Sequence, residues 1–256
     1  MFKNLIYFDN IKIAEYGALL EGKKHVAIRN VKVSSNKSAS AKIPLVSAAI
    51  NGNNEMEGVI VENLLLDCNE FEELLADKGT DNYFNFLEDD YDSETIPRTS
   101  IVRFEGGFKI PEEFDMMDLI NQFKPMLSSS MDIKNDKEEE LFNKIFAKES
   151  TKIPAFLDSD SFNNRIGFAK LNSQNLLYEL EHLEDFEDED VTIIAKVLSR
   201  KDVKQNKPIV LFDIMKDLLS LSRGIRRQVG QEQMSGLNSI ESNEDVIIFE
   251  VLAIYQ

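Results

Sequence analysis

Short bursts of alternating apolar and polar positions recur along this chain, separated by stretches with helical spacing. Leu5 to Phe8 is an apolar run closed by Asp9-Asn10, the pattern of a strand entering a turn or helix cap. Ile13, Ala14, Tyr16, Gly17 and Leu20 then suit a short helix, with Gly22 placed as its terminating glycine. His25 to Val33 alternates as a half-buried strand, and Ile43 to Ile50 resumes as another before the hairpin signal Asn51-Gly52. Glu57 to Leu66 fits a strand or a helix equally. Asn69 to Ala76 predicts a helix capped by Asn69, with Phe71, Leu74 and Leu75 inward and Gly79 as its stop. Ser100 to Ile110 alternates around Gly106-Gly107, which predicts a hairpin or a bulged strand. Pro111 opens a stripe through Phe114, Met117, Ile120 and Phe123 that Pro125 ends.

The second half reads more regularly. After a capping-box-like start at Asp136, Leu141, Phe142, Ile145 and Phe146 form one helical stripe. Ile153–Leu157 and Ile166–Leu171 read as strands, and Ser173 as the cap of a helix carrying Leu176, Leu177, Leu180 and Leu183. Val191–Leu198, β-branched and apolar on both faces, predicts a central strand. Pro208–Phe212 is a further strand, a helix follows from Asp213, and Val246–Tyr255 closes the chain as a long strand. Polar Ser128–Asp136 lacks periodicity and reads as a domain junction. The expected fold is α+β: two small domains, 1–130 and a 131–256 sandwich, with mostly antiparallel sheets and helices packed on one face. Ser34–Ala41 and Gly230–Asn243 are expected to be the most mobile internal segments, being polar and poor in large apolar anchors.

Charge narrows the partners. The 256 residues hold 46 acidic and 29 basic side chains, a formal charge of −17. Such a surface repels phosphate, so nucleic acid is not an expected partner and a basic protein surface is. The single cysteine, Cys68, excludes an internal disulfide and a cysteine-rich zinc site. The N-terminus lacks a signal-peptide pattern and no window is apolar enough to span a bilayer, so a cytoplasmic location is expected. Seventeen Phe, no Trp and many Lys and Asn match the residue usage of an AT-rich genome.

Candidate chemistry is sparse. His25 and His182 are the only histidines, and neither sits in a metal or triad spacing. Cys68 reads as a buried hydrophobe, although a place just before a helix would favour its thiolate. The runs Asp89-Asp90-Asp92-Glu94 and Glu184 to Asp190 lack the glycine and ligand spacing of a calcium loop, and read as solvated loops. Asp213 with Lys196 is a minimal nuclease-like pair. The densest basic point is Arg223, Arg226 and Arg227, fit for an anion or a partner contact, or for complementing a helix C-terminus. No catalytic residue, metal site or cofactor is expected.

Ile6-Tyr7-Phe8-Asp9, the stretch Phe108-Lys109-Ile110-Pro111-Glu112-Glu113-Phe114-Asp115, the Val191–Leu198 strand and Leu252-Ala253-Ile254-Tyr255 resemble an uncharacterised bacterial family, domain-of-unknown-function family six-four-one-four. The resemblance implies a two-part α+β cytoplasmic protein of bacteria or their mobile elements, and no activity or functional residue. The expected function is a non-enzymatic binding or regulatory protein acting through protein contacts, in a phage-defence or mobile-element setting. The alternative is a sensor or enzyme for a nucleotide or other small anion held by the Arg223–Arg227 region.

Overall fold

The computed structural model describes residues 3–22, 63–79, 81–111, 114, 151–179, 182–187, 189–204, 207–213, 217 and 239–256. Outside them lie the expected strands around 25–33 and 43–50, the helices after Pro111, Asp136 and Asp213, most of Gly230–Asn243, loop Ser34–Ala41 and junction Ser128–Asp136. The chain divides into two compact units, one of residues 1–2 and 10–80, the other of 3–9 and 81–256.

In the smaller unit, α1 (Asn10–Leu20) packs against α2 (Leu64–Lys78). Gly17 brings α1 close, since a Cβ there would already touch the side chains of Leu74 and Phe71. Gly22, at φ +68°, ends α1 as its position implies, and its N–H bonds to the Leu19 carbonyl. For α2, Asn63 is the cap, its side chain accepting from the Leu66 N–H, so the helix starts five residues before the expected Asn69–Ala76 segment. The run Leu64-Leu65-Leu66 therefore belongs to a helix. Gly79 closes it, its N–H donating to the Leu75 carbonyl.

The larger unit is mostly antiparallel sheet. Its strands are β1 (Leu5–Phe8), β2 (Tyr83–Asn85), β3 (Ile101–Lys109), β4 (Lys152–Asp158), β5 (Ile166–Asn172), β6 (Val191–Lys201) and β9 (Val246–Tyr255). A separate two-stranded ribbon joins β7 (Ile209–Phe212) to β8 (Ile240–Ser242), the latter within a segment expected to be loop. Five strands close on themselves: β3 pairs β4, β4 pairs β5, β5 pairs β9, β9 pairs β6, and β6 returns to β3. Only β5 and β9 are parallel within that ring. Counted within the ring, the strands lie in the order first, second, third, fifth, fourth, that of the five-stranded Greek-key barrel called the OB fold. Strand β1 extends the barrel beside β9, and β2 lies parallel to β3.

Alternation explains the filling. Val102, Phe104 and Phe108 of β3, Ile153, Ala155 and Leu157 of β4, Ala169 and Leu171 of β5, and Ile193 and Ala195 of β6 are all buried in one cluster. Phe104, Phe162 and Phe249 cluster at its centre, with ring centroids 4.7, 5.3 and 5.6 Å apart: Phe162 stacks on Phe249 and meets Phe104 edge to face. Strand β6 is central as expected, flanked by β3 and β9, and two bulges against β9 let the pair coil. Strand β3, on the N-terminal side of the expected junction, supplies a wall of the barrel otherwise built from the C-terminal half.

Among the described residues, the helix expected after Ser173 is absent. Ser173–Asn175 forms a single 3-10 turn, after which Leu176 bridges Tyr7 and the Leu177 N–H donates to the Ile6 carbonyl. The backbone that an α-helix would have consumed instead satisfies the open edge of β1.

Candidate functional site

Every strand has two edges, and β3 uses one of them for β6 along Ile101 to Gly106. On the other edge two strands share it: β2 opposite Ile101–Arg103, and β4 opposite Gly107–Lys109. Glu105 falls between them. The Ile101 N–H donates to the Asn82 carbonyl, and the Phe86 N–H to the Arg103 carbonyl at 2.9 Å. The next carbonyl along, that of Glu105, accepts from the Ser159 hydroxyl at 2.7 Å. A side chain thus replaces the missing strand, and the Ser159 hydroxyl oxygen itself accepts from the Ser161 N–H at the start of the 3-10 turn Asp160–Phe162.

The glycine pair makes this junction possible. A Cβ on Gly106 would lie 1.9 Å from the Asp158 carbonyl oxygen, so β4 can end against β3 only where there is no side chain. Gly107 is looser, its nearest neighbour being 3.9 Å from a would-be Cβ. The expected hairpin or bulge at Gly106-Gly107 is one continuous strand that changes partner there.

Where β2 and β4 both stop, an open groove of about 430 Å³ remains, within the usual range for ligand sites. Phe86 and Leu87 form an apolar lip, Gly106-Gly107 lies on the β3 side, and Ser159 and Ser161 bring hydroxyls. Four carboxylates line it: Glu105 from β3, Asp158 from the end of β4, Asp160 from the turn after it and Asp190 from just before β6. No Lys, Arg or His is among the lining residues. Among the described residues no three His, Cys, Asp or Glu side chains gather as a metal site.

A strap, residues 86–100, crosses beside the groove and is fixed by charge. Arg165 binds Glu94 through both Nε and Nη2, the latter at 3.1 Å, and binds Asp202 at 2.8 Å. These partners push the Arg165 guanidinium above its ordinary value, the Glu94 bond most of all. Arg200 donates to the Ser93 carbonyl, while Asn163 reaches Asp92 and Ser93. Burial, reinforced by like-charged Arg165 and Arg98, pulls the Arg200 guanidinium down from its ordinary value. Ile96, only 3 % exposed, drives the strap's apolar anchor into the barrel cluster.

Other candidates are placed as follows. Arg223, Arg226, Arg227 and His25 lie outside the described residues. His182 is exposed on the segment between β5 and β6. Cys68 lies inside α2 with 0 % exposure, so the expected position before a helix start is corrected and its buried-hydrophobe reading stands. Lys196 is on β6 opposite Ile101 and Glu250, while Asp213 follows β7 and gives its N–H to Asp217. Of the acidic runs, the first contributes Asp92 and Glu94 to the strap's anchors and the second only Asp190 to the groove. The groove itself escaped sequence reading because Glu105, Asp158 with Asp160, and Asp190 at the end of an acidic run lie in three segments far apart in the chain; Gly106-Gly107 was the one local sign.

No helix among the described residues is long and apolar enough to cross a membrane. No curated protein and no solved structure matches the chain. A family model described as Domain of unknown function (DUF6414) matches residues 2–255, so the chain belongs to that family.

Proposed function

We propose that this protein is a non-enzymatic binding module acting inside the cell, and that it holds a basic segment of a partner protein in the groove between β2 and β4. The observation that carries the reading is the lining: four carboxylates from three chain segments, an apolar lip and no basic side chain. A lysine or arginine combines an aliphatic stem with a cationic head. Phe86 and Leu87 suit the stem, and the carboxylates suit the head. The volume exceeds one side chain, so a short run of the partner fits better than a single residue. The net charge of −17 adds long-range attraction for the same partner and repels phosphate polymers. A setting in phage or mobile-element defence is part of the proposal too, supported by residue usage and family resemblance rather than by the groove.

The test is affinity capture from the native host with three baits. The first is the wild type, the second Asp158→Asn/Asp160→Asn/Asp190→Asn, and the third carries Glu73→Gln/Asp77→Asn on the exposed face of α2. The reading expects a basic partner held by the first and third baits and lost from the second. Equal capture by all three, or equal loss from both variants, would replace groove recognition with general charge attraction. Capture of no partner by the wild type would remove the reading.

A further inference from the structure

Alternation in β4 and β5 puts Leu157, Ala155 and Ile153 inside the barrel, which turns Phe156 outward beside Lys109. Phe168 is the direct partner of Phe156 across the two strands, their rings 5.5 Å apart at 66°. Lys170, opposite Pro154, shares that outward face. Two aromatic rings and an ammonium therefore stand in a row on the outside of the second and third strands of the barrel. In Greek-key barrels of this order that face receives ligands, and outward aromatics there serve as stacking platforms.

Here the face is covered. Phe168 is 0 % exposed although it points away from the barrel interior. The cover comes from the chain itself: Asp217 pairs with Lys170 Nζ at 2.6 Å, and the Phe212 ring lies 5.6 Å from the same nitrogen. Phe212 in turn meets Phe114 edge to face at 5.6 Å. Asp217 also accepts the Asp213 N–H at 2.9 Å, which holds its carboxylate in place. Phe212 belongs to the β7–β8 ribbon, whose ladder is separate from that of the barrel. The cover thus offers an aromatic ring and a carboxylate to the ammonium that stands beside the two outward rings.

The geometry points to a ligand face for a small planar anion, an aromatic ring bearing a phosphate or carboxylate, kept closed by Phe212 and Asp217 as an internal stand-in for that ligand. This face is distinct from the acidic groove and does not rest on the protein-binding reading. A ligand competes with the cover for Lys170, so weakening the cover raises affinity. The two rings supply stacking and Lys170 the single charge contact, which fits a mononucleotide-sized anion on an otherwise acidic molecule.

The experiment titrates adenosine 5′-monophosphate into the full chain by calorimetry, for the wild type, Asp217→Asn, Lys170→Ala and the Asp217→Asn/Lys170→Ala double variant. Asparagine keeps the size of Asp217 and can still accept the Asp213 N–H. A near-ultraviolet circular dichroism spectrum matching the wild type verifies that each variant is folded. The expected result is at least tenfold tighter binding by Asp217→Asn than by the wild type, with that gain abolished in the double variant. Equal affinity for wild type and Asp217→Asn, binding that survives loss of Lys170, or no binding by any folded variant would overturn the proposal. An octathymidylate bound more tightly than the mononucleotide by Asp217→Asn would also overturn it, assigning the face to single-stranded nucleic acid. If Asp217→Asn misfolds, Phe212→Leu replaces it, with the same tenfold gain required.

Discussion

Gly106 and Gly107 sit side by side, yet their surroundings differ enough to predict opposite outcomes. Gly106→Ala drives a methyl to 1.9 Å from the Asp158 carbonyl oxygen and 3.0 Å from the Ser159 Cβ, so β4 must retreat from β3 and the Ser159–Glu105 bond must break. Overpacking of this kind costs roughly 1–3 kcal/mol or more, and Gly107→Ala, whose methyl meets only the Glu187 carbonyl oxygen at 3.9 Å, stays within about 0.5 kcal/mol of the wild type. Urea unfolding of the two variants measures both, and similar costs would mean the junction has been misread. Tyr7 supplies a second residue-scale expectation. Its hydroxyl accepts from Asn175 and from the Asn172 N–H, and burial pushes its pKa up to about 12. An unfolded tyrosine titrates near 10. The folded state therefore holds the proton more tightly, so this contribution is complete below about pH 10 and is lost as the pH rises toward 12, roughly 2–3 kcal/mol in all. Tyr7→Phe should lack that part of the alkaline loss, which denaturation at pH 9 and pH 11 will reveal as a shallower slope than the wild type shows.

At the scale of elements, the strap and the β7–β8 ribbon are both held chiefly by side chains, but by different forces. The Arg165 side chain is 12 % exposed while Glu94 is 43 % exposed, so solvent screens the pair and its loss is expected to cost only about 1 kcal/mol. Glu94→Gln should lower stability by that amount at 50 mM NaCl, with the gap narrowing in 1 M NaCl as screening shortens the reach of charge. A gap that salt leaves unchanged would assign the strap's hold to Ile96 and packing. The ribbon differs because Phe212 is fully buried, which sets roughly 1.5–3 kcal/mol against lifting it; the partly buried Lys170–Asp217 pair, with side chains 31 % and 13 % exposed, adds to that hold. Element scale is also where sequence reading worked best and failed most plainly. Strands β4, β5, β6 and β9 were legible because alternation and β-branched density are local signals. The helix after Ser173 was not, since its leucines have helical spacing but its backbone serves β1, a partner about 170 positions away. The start of α2 was missed because two asparagines could cap it, and the apolar run between them has no period of its own.

For the whole molecule, the decisive fact is that β3 closes the ring. Its local sequence predicts a strand, but nothing local says that its two edges will be taken by β6 on one side and by β2 and β4 on the other. Convergence of that kind decides both the barrel and the groove, and it is written in long-range pairing rather than in periodicity. A physical consequence separates the observed units from a division near residue 130. A fragment of residues 131–256 keeps four of the ring's strands but lacks β3, which leaves open edges on β4 and β6 and exposes Val191, Ile193 and Ala195. It should be unfolded or aggregated, with little near-ultraviolet signal and no cooperative melting. A fragment of residues 81–256 keeps all five ring strands and should melt cooperatively, weakened by the absence of β1 beside β9. Because β1 contributes Ile6 and Tyr7 to the core, a synthetic peptide of residues 3–9 should raise the melting temperature of that fragment in a concentration-dependent way, by mass action on the folded state. Cooperative folding of 131–256 alone would show that β3 is dispensable, and the closed ring would then not be the unit that folds.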